Sequence, residues 1–300
     1  MLLSHDPSLI ARGDAQYTAL HILVTRYNLR TGRDISRAEK QRWLEGRLPL
    51  FQDFCLPSVL AQTKRPDLWI LGFDGEEPEL VEPVLDTVKE YSWIVPAWQK
   101  KNGNFYESWG RSIRREIRPH LHDALSHVAL TRMDNDDSLG RTFIEEVAGY
   151  SRTVSTNRPD LDEFWILFPL GADYVNKRCF LHVYPSNAFP TVVRKRRKLL
   201  KRERFFVDHS TLLSGNYTVF LPVTTAPMWL RNVHEGTILN SRARRARFAL
   251  VPTRAALRQF GLDRDSLEKR RPDGWKTSVR RFLKSVGGPL RSGIGRALSR

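Results

Sequence analysis

HVALTRMDNDDSL, residues 127–139, reads as an apolar strand running straight into Asp134, Asp136 and Asp137. Three carboxylates within four positions end that strand in a chain whose formal net charge is +16. Upstream, YTALHILVTRYN (17–28) is another apolar run that ends in polar residues. LWILGF (68–73) is a third, stopped by the turn pair Asp74-Gly75, and WIVPAW (93–98) has the composition of a fourth. Between these runs the apolar spacing is helical. LPLFQDFCLPSVLAQ (48–62) predicts a helix with a kink or restart at Pro57, residues 79–91 one whose start is limited by Pro83, and residues 105–126 one interrupted at Pro119. Strands alternating with helices of this length predict an α/β sheet, at least partly parallel. Past residue 150 the alternation stops. EFWILFPLGADYV (163–175) and KRCFLHVYP (177–185) read as two strands around a turn. RKRRKLLKRER (194–204) is a charge run, and TVFLPVTTAPMWLRNVHEGTIL (218–239) mixes a short strand with a polar loop.

At 300 residues and 41% hydrophobic content, the chain suffices for one large domain or two small ones with a sizeable core. Its two cysteines, Cys55 and Cys179, form no C-x-x-C pair, which argues against a disulfide framework or a cysteine zinc site and fits a reducing compartment. The first residues include His5, Asp6 and Asp14 and do not read as a signal peptide. No apolar run reaches the length of a membrane-spanning helix, about 18 residues or more. The basic character is local. Residues 241–300 hold 17 Lys+Arg against 4 Asp+Glu, which leaves 32 against 29 in residues 1–240. The expected organisation is therefore a nearly charge-balanced domain over 1–240 and a basic, partly helical or flexible extension over 241–300.

In open α/β sheets, ligands bind beyond the carboxyl ends of the strands. Three such ends carry polar residues here: Thr25-Arg-Tyr-Asn28, Asp74-Gly75 and Asp134-Asn-Asp-Asp137. HILVTRYN resembles the first strand and nucleotide loop of GT-A-type glycosyltransferases of the large inverting family 2. SVLAQT (58–63) followed by DLWILGFDG (67–75) is similar to that family's helix–strand pair. HVALTRMDNDDSL resembles its strand leading to the metal-binding aspartate motif. Order and spacing agree across roughly residues 17–140. TRMDNDDSL and the later APMWLRNVHEGT resemble, more narrowly, the rhamnosyltransferase family. The resemblance implies a GT-A-type, Rossmann-like α/β fold: a mixed, largely parallel sheet flanked by helices, here with a basic C-terminal tail. It also implies transfer of a sugar from a nucleotide-sugar donor to a glycan or lipid-linked hydroxyl acceptor, with inversion and with a divalent cation, Mg²⁺ or Mn²⁺.

The chemistry suits these residues. A leaving diphosphate gathers negative charge that a divalent cation neutralises. Hard cations take one or two carboxylates and leave the remaining positions to phosphate and water. By resemblance, Asp134 faces the ribose or the metal, and Asp136 or Asp137 ligates the metal. Successive side chains on an extended chain point in opposite directions, so the last two are not expected to share one task. Asp-Asn-Asp-Asp could instead be a turn capping a helix near Ser138. A calcium loop is excluded, because Leu139 stands where its sharp turn needs glycine. Asp74 is expected to hydrogen-bond the donor base, or to be an ordinary Asp-Gly turn. Thr25, Arg26 and Asn28 are candidate nucleotide contacts. Arg111, Arg115 and Arg118 share a helix face and could hold the diphosphate or simply face solvent. His234, with His209 as competitor, is expected to complete the metal site. The family's pattern usually supplies the catalytic base in a short Glu-Asp pair, for which Asp208-His209 is the nearest equivalent; Asp208, after the apolar FFV and the aspartate cluster, is the expected base, with Glu235 second. Trp165, Phe168, Phe189 and Trp229 could stack on sugars or fill the core.

The basic tail, with Phe282, Leu283, Val286, Leu290, Ile294 and Leu298 among its charges, predicts contact with an anionic membrane surface. The expected location is the cytoplasm, with peripheral contact at the inner face of the membrane. Two other classes stay open. A nucleic-acid-binding protein would suit a pI near 10.2, although no zinc finger, RNP or P-loop signature appears and no specific nucleic acid is expected. A glycan-binding protein of the same fold without catalysis is the other.

Overall fold

The computed structural model describes residues 17–29, 36–99, 105–199, 207–234, 247–263 and 267. The first apolar run forms β1 (Ala19–Arg26), buried along nearly all its length. Helix α1 (Arg37–Leu50) starts on a capping box in which Ser36 accepts from the Glu39 amide and Glu39 reaches back to the Ser36 amide. It continues through a wider π-type turn, Phe51–Cys55, into the short α2 (Leu56–Leu60), with Pro57 in its first turn. Next come β2 (Leu68–Asp74), a 3₁₀ turn, α3 (Glu82–Val88), β3 (Ile94–Gln99), α4 (Phe105–Ile117) and β4 (His127–Asp134). The chain order up to this point is the alternation read from the sequence.

These strands build the parallel part of a seven-stranded sheet. β1 pairs with β2 on one side and β4 on the other, and β2 pairs with β3, all parallel. Strand order therefore runs β3-β2-β1-β4, and the chain changes direction across the sheet between β1 and β4. Alternate side chains feed two cores. Leu23, Trp69, Leu71, Ala129 and Met133 pack with the π turn, α2, α3 and the later α5 (Phe143–Asn157). Ile22, Val24, Ile70, Val128 and Leu130 pack with Trp109, Ile113 and Ile117 of α4. A parallel sheet covered on both faces needs such nearly continuous apolar strands. Gly72 lets α4 lie close, because a Cβ there would meet the Trp109 ring at 2.3 Å.

The second half departs from the sequence expectation. β5 (Ser138–Leu139) follows the aspartates and belongs to a second, five-stranded sheet. The stretch 163–175 is two strands: it breaks at Pro169 into β6 (Glu163–Ile166) in the first sheet and β7 (Leu170–Val175) in the second. β7 and β8 (Arg178–Val183) form the expected hairpin. Its turn residues Asn176 and Lys177 both take positive φ, 48° and 63°, the twist that two-residue hairpin loops require. The start of the charge run is β9 (Thr191–Lys195), antiparallel between β4 and β6. Its Arg194 is buried against Glu163 of β6 at 2.5 Å. After α6 (Arg196–Leu199), β10 (Val219–Phe220) closes the first sheet beside β6. β11 (Trp229–Val233) lies between β7 and β5, and β12 (Arg247–Val251) pairs with β8 ahead of α7 (Thr253–Gln259). One compact unit extends to Leu262, and Asp263–Arg300 is a separate unit. The apolar and basic tail residues invoked for membrane contact lie outside the described residues. Among the described residues, no helix is long and apolar enough to cross a membrane.

A polar chain crosses the middle of the first sheet. His21 Nε2 lies 2.9 Å from Thr131 Oγ1, which lies 2.7 Å from Thr191 Oγ1. Burial, with Lys64 adding to it, holds the His21 imidazole down at about 3. The sign follows: between pH 6.5 and 3 the unfolded chain binds a proton at His21 that the folded chain does not, so stability falls as pH falls through that window. The expected slope from this residue is about 1.4 kcal/mol per pH unit. Urea midpoints measured between pH 7 and 4.5 check it. A His21→Gln variant should show a flatter dependence, and an equal slope in both proteins would refute the assignment.

Candidate functional site

The β1/β4 register sets Arg26 directly beside Asp134 at the carboxyl ends of the two strands. Arg26 Nη2 lies 3.2 Å from Asp134 Oδ1, and Arg132 Nη2, from the same strand as Asp134, lies 3.6 Å from that oxygen. Enclosure by protein would raise the Asp134 carboxyl, but the guanidiniums of Arg132 and Arg26 outweigh it and hold the value at about 2. The charges of Arg132, Asp134 and Arg26 also act on His209, and that of Arg132 on Asp208, so the 3₁₀ turn His209–Thr211 borders this strand end. Asp208 caps that turn, accepting from Ser210 N at 3.0 Å and Ser210 Oγ at 2.8 Å. These bonds draw its carboxyl below the usual range. Burial, with Arg132 behind it, lowers the His209 imidazole.

Past Asp134 the chain crosses from one sheet to the other, and the two adjacent aspartates separate. Asp136 turns toward α1 and the end of β11: its Oδ2 lies 2.5 Å from Arg47 Nη1 and 2.8 Å from His234 Nε2. Asp137 turns the other way, and its Oδ1 accepts from the Asn232 amide of β11 at 3.0 Å. Burial and then the charges of Asp136 and Asp134 push the Asp137 carboxyl well up. Asn135, between them, donates from Nδ2 to the Tyr27 carbonyl at 2.8 Å and accepts from Arg47 at 3.3 Å.

SVLAQT is the anchor of this turn. Ser58 Oγ accepts from the Leu139 amide at 3.2 Å. Gln62 donates to the Gly140 carbonyl at 2.8 Å and accepts from the Ile144 amide at 3.2 Å. Ser138 Oγ donates to the Phe54 carbonyl inside the π turn. From the opposite side, β11 is held by a buried ion pair. Arg231 grips Asp173 of β7 through Nε and Nη2 at 3.0 and 2.9 Å, with His182 Nδ1 3.4 Å from the same carboxylate.

At the end of β2, Asp74 is buried and accepts from Lys40 Nζ at 2.8 Å, and Lys40 also reaches Glu77 at 2.6 Å. Burial alone would lower the Lys40 ammonium, but the hydrogen bonds and charges of Asp74 and Glu77 raise it. Asn28 Oδ1 accepts from the Asp74 amide at 2.9 Å, tying this strand end to the β1 end. Asn28 Nδ2 is buried without a partner among the described residues.

The structure thus brings Arg26, Asn28, Asp74, Asp134, Asp136 and His234 to one end of the sheet, with Asp208 on its border. Thr25 is fully buried and accepts from Trp69 Nε1 at 3.0 Å, a core bond. Arg111 and Arg115 lie on the exposed face of α4, about opposite its packed Trp109–Ile113–Ile117 stripe, and Arg118 is exposed at the start of the 3₁₀ turn that follows. Arg115 is paired with its neighbour Glu116. Trp165, Phe168, Phe189 and Trp229 are buried. Glu235 lies outside the described residues. Sequence reasoning passed over Lys40, Arg47 and Arg132. Lys40, Leu44 and Arg47 fall four and three positions apart on α1, a spacing that was available as a signal for one inward face.

Asp136 and His234 offer an oxygen and a nitrogen donor 2.8 Å apart. Two ligands at right angles on a small divalent cation, each about 2.1 Å from it, sit about 3 Å apart. The pair therefore fits two positions of one cation shell. Among the described residues no group of three or more His, Cys, Asp or Glu converges in that way, so the other positions would fall to donor oxygens and water.

A family model described as "Putative rhamnosyl transferase" matches residues 30–244. No curated protein matches the chain. Among solved structures, a 4-diphosphocytidyl-2C-methyl-D-erythritol synthase from Anaerococcus prevotii is similar at 12% identity and a TM-score of 0.32, over 68% of this chain and 86% of that one. A protein from Desulfovibrio desulfuricans described as a "putative nucleotide-diphospho-sugar transferase" is similar at 12% identity and a TM-score of 0.33, over 81% and 95%.

Proposed function

The chain belongs to this family of rhamnosyl transferases, and from that premise we propose that it moves a sugar from a nucleotide-sugar donor to a glycan hydroxyl with inversion, assisted by a divalent cation. The observation that carries the reading is the meeting of Asp136 with His234 beside the Arg26–Asp134 pair, at the strand ends where the sheet order reverses. Ligands of open α/β sheets settle in that crevice.

In this reading Asp136 and His234 would hold Mg²⁺ or Mn²⁺, and the cation would supply positive charge against the leaving diphosphate. Asp134, ionised at any physiological pH, accepts from the ribose hydroxyls. Arg26 and Arg132, paired with it, bring positive charge toward the phosphates. The Asp74–Lys40 pair lies at the base end of the donor, where Asp74 can accept from a base N–H and Lys40 donate to a carbonyl. Asp208 takes the proton of the acceptor hydroxyl as its oxygen bonds to the anomeric carbon, while the bond from that carbon to the diphosphate breaks. Its lowered carboxyl is ionised and ready to accept at neutral pH. Asp137 does not face the donor. It ties the aspartate turn to β11 and so fixes His234 relative to Asp136.

A thermal-shift titration with Mn²⁺ and the common nucleoside diphosphates tests this. The matching nucleotide at a hundred times its Kd should stabilise the fold by about 2.7 kcal/mol. Melting that no nucleoside diphosphate shifts, with or without Mn²⁺, would sink the reading.

A further inference from the structure

Arg47 sits where the proposed function has no use for it. Its Nη1 donates to Asp136 Oδ2, the same oxygen that meets His234. Both partners are largely buried, with side-chain exposures of 13% and 11%. We propose that Arg47 is the resident stand-in for the divalent cation: its guanidinium neutralises Asp136 while the donor site is empty and yields the carboxylate when the cation arrives. This rests on the reading of Asp136 and His234 as cation ligands.

Three observations carry it. First, Asp136 is buried in a turn that also carries Asp134 and Asp137, and three carboxylates so placed need counter-charge in the absence of metal. Arg26 and Arg132 serve Asp134, and Arg47 serves Asp136. Second, a cation shared by Asp136 Oδ2 and His234 Nε2 must approach the oxygen to which the guanidinium now donates, so the two cations compete for one site. Third, Arg47 already has other holds that would remain when Asp136 is given up. Its guanidinium carbon lies 4.9 Å from the centre of the Trp43 ring, and Trp43 is 41% exposed at the rim. Asn135 Oδ1, at 3.3 Å, offers another hold one residue away. Lys40, seven residues earlier on the same face of α1, treats Asp74 in the same way. Helix α1 thus lends a cation to each of two carboxylates at the strand ends. Once released, the Arg47 fork can meet the incoming diphosphate.

The test is Mn²⁺ binding to the nucleotide-free full chain, read by loss of the free-Mn²⁺ electron paramagnetic resonance signal. Arg47→Met should bind Mn²⁺ at least about tenfold more tightly than the unaltered protein, a gain of about 1.4 kcal/mol. Arg47→Lys, which keeps the charge, should stay near the unaltered affinity and serves as the folding control. Adding Asp136→Asn to Arg47→Met should abolish the gain. If Asp136→Asn weakens Mn²⁺ binding but Arg47→Met leaves it unchanged or weakens it, the stand-in role is overturned and the cation site survives. If no variant binds Mn²⁺ at millimolar concentration, the cation reading and the stand-in role fall together.

Discussion

Asp136→Ala is expected to reduce sugar transfer by more than about 100-fold while the protein stays folded. The magnitude follows from its place. Residues that merely support a metal ligand cost 10- to 100-fold when removed, so a ligand itself should cost more. Folding should survive because Arg47, after losing Asp136, keeps Asn135 and the Trp43 face. Initial-rate assays with donor and acceptor, beside a melting curve, measure both effects. Asp137→Asn makes the useful contrast. The amide keeps an oxygen for the Asn232 amide proton, so transfer should fall far less. Equal losses in the two variants would show that the carboxylates are not divided as their hydrogen bonds divide them.

Arg231→Met is expected to cost about 3–5 kcal/mol of stability, the usual consequence of removing one partner from a buried ion pair. Asp173 is wholly buried and receives two bonds from the guanidinium, so its charge would lose its bidentate counter-ion, with His182 Nδ1 3.4 Å away. Chemical denaturation monitored by tryptophan fluorescence gives the number directly. Replacing both partners, Asp173→Leu with Arg231→Met, should recover much of the loss, since an apolar pair carries no stranded charge. A single-variant loss below about 1 kcal/mol would mean that water or His182 already satisfies Asp173, and the pair would then have no claim to hold β11 in place.

The parallel half of the sheet could be read from residues alone because β1, β2 and β4 are buried nearly throughout and stay largely apolar. HILV, LWILGF and HVAL announce themselves, and the helices between them keep their period. β9 was hidden because Arg194 and Lys195 look like a solvated charge run. The carboxylate of Glu163, thirty-one residues earlier, accepts from the buried arginine. The break at Pro169 was hidden for a related reason: both halves of 163–175 are apolar, and nothing local says that they enter different sheets. At the site, the aspartates were legible as a cluster on a strand end. Their division was not, because it is made by β11, more than ninety residues away, through Asn232 and His234. Lys40 and Arg47 were missed because one inward helix face says nothing about which carboxylates it will meet. Thr25 has the right position in sequence for a ligand contact, but the Trp69 indole claims its hydroxyl.

Two residues of β5 pair with β11 immediately after the aspartates, Ser138 opposite Leu230 and Leu139 opposite Trp229. The turn at Asn135-Asp136 joins β4 to β5, so the length of the link from Asp134 to Ser138 decides which aspartate meets His234 and which meets the Asn232 amide. A one-residue deletion in that link would keep a carboxylate-rich loop and still shift each acid away from its partner. Drift at this locus is therefore tolerable as a change of letters and ruinous as a change of count. Relatives that keep the link length while varying its sequence should retain the chemistry more faithfully than relatives that keep the acids but not the spacing.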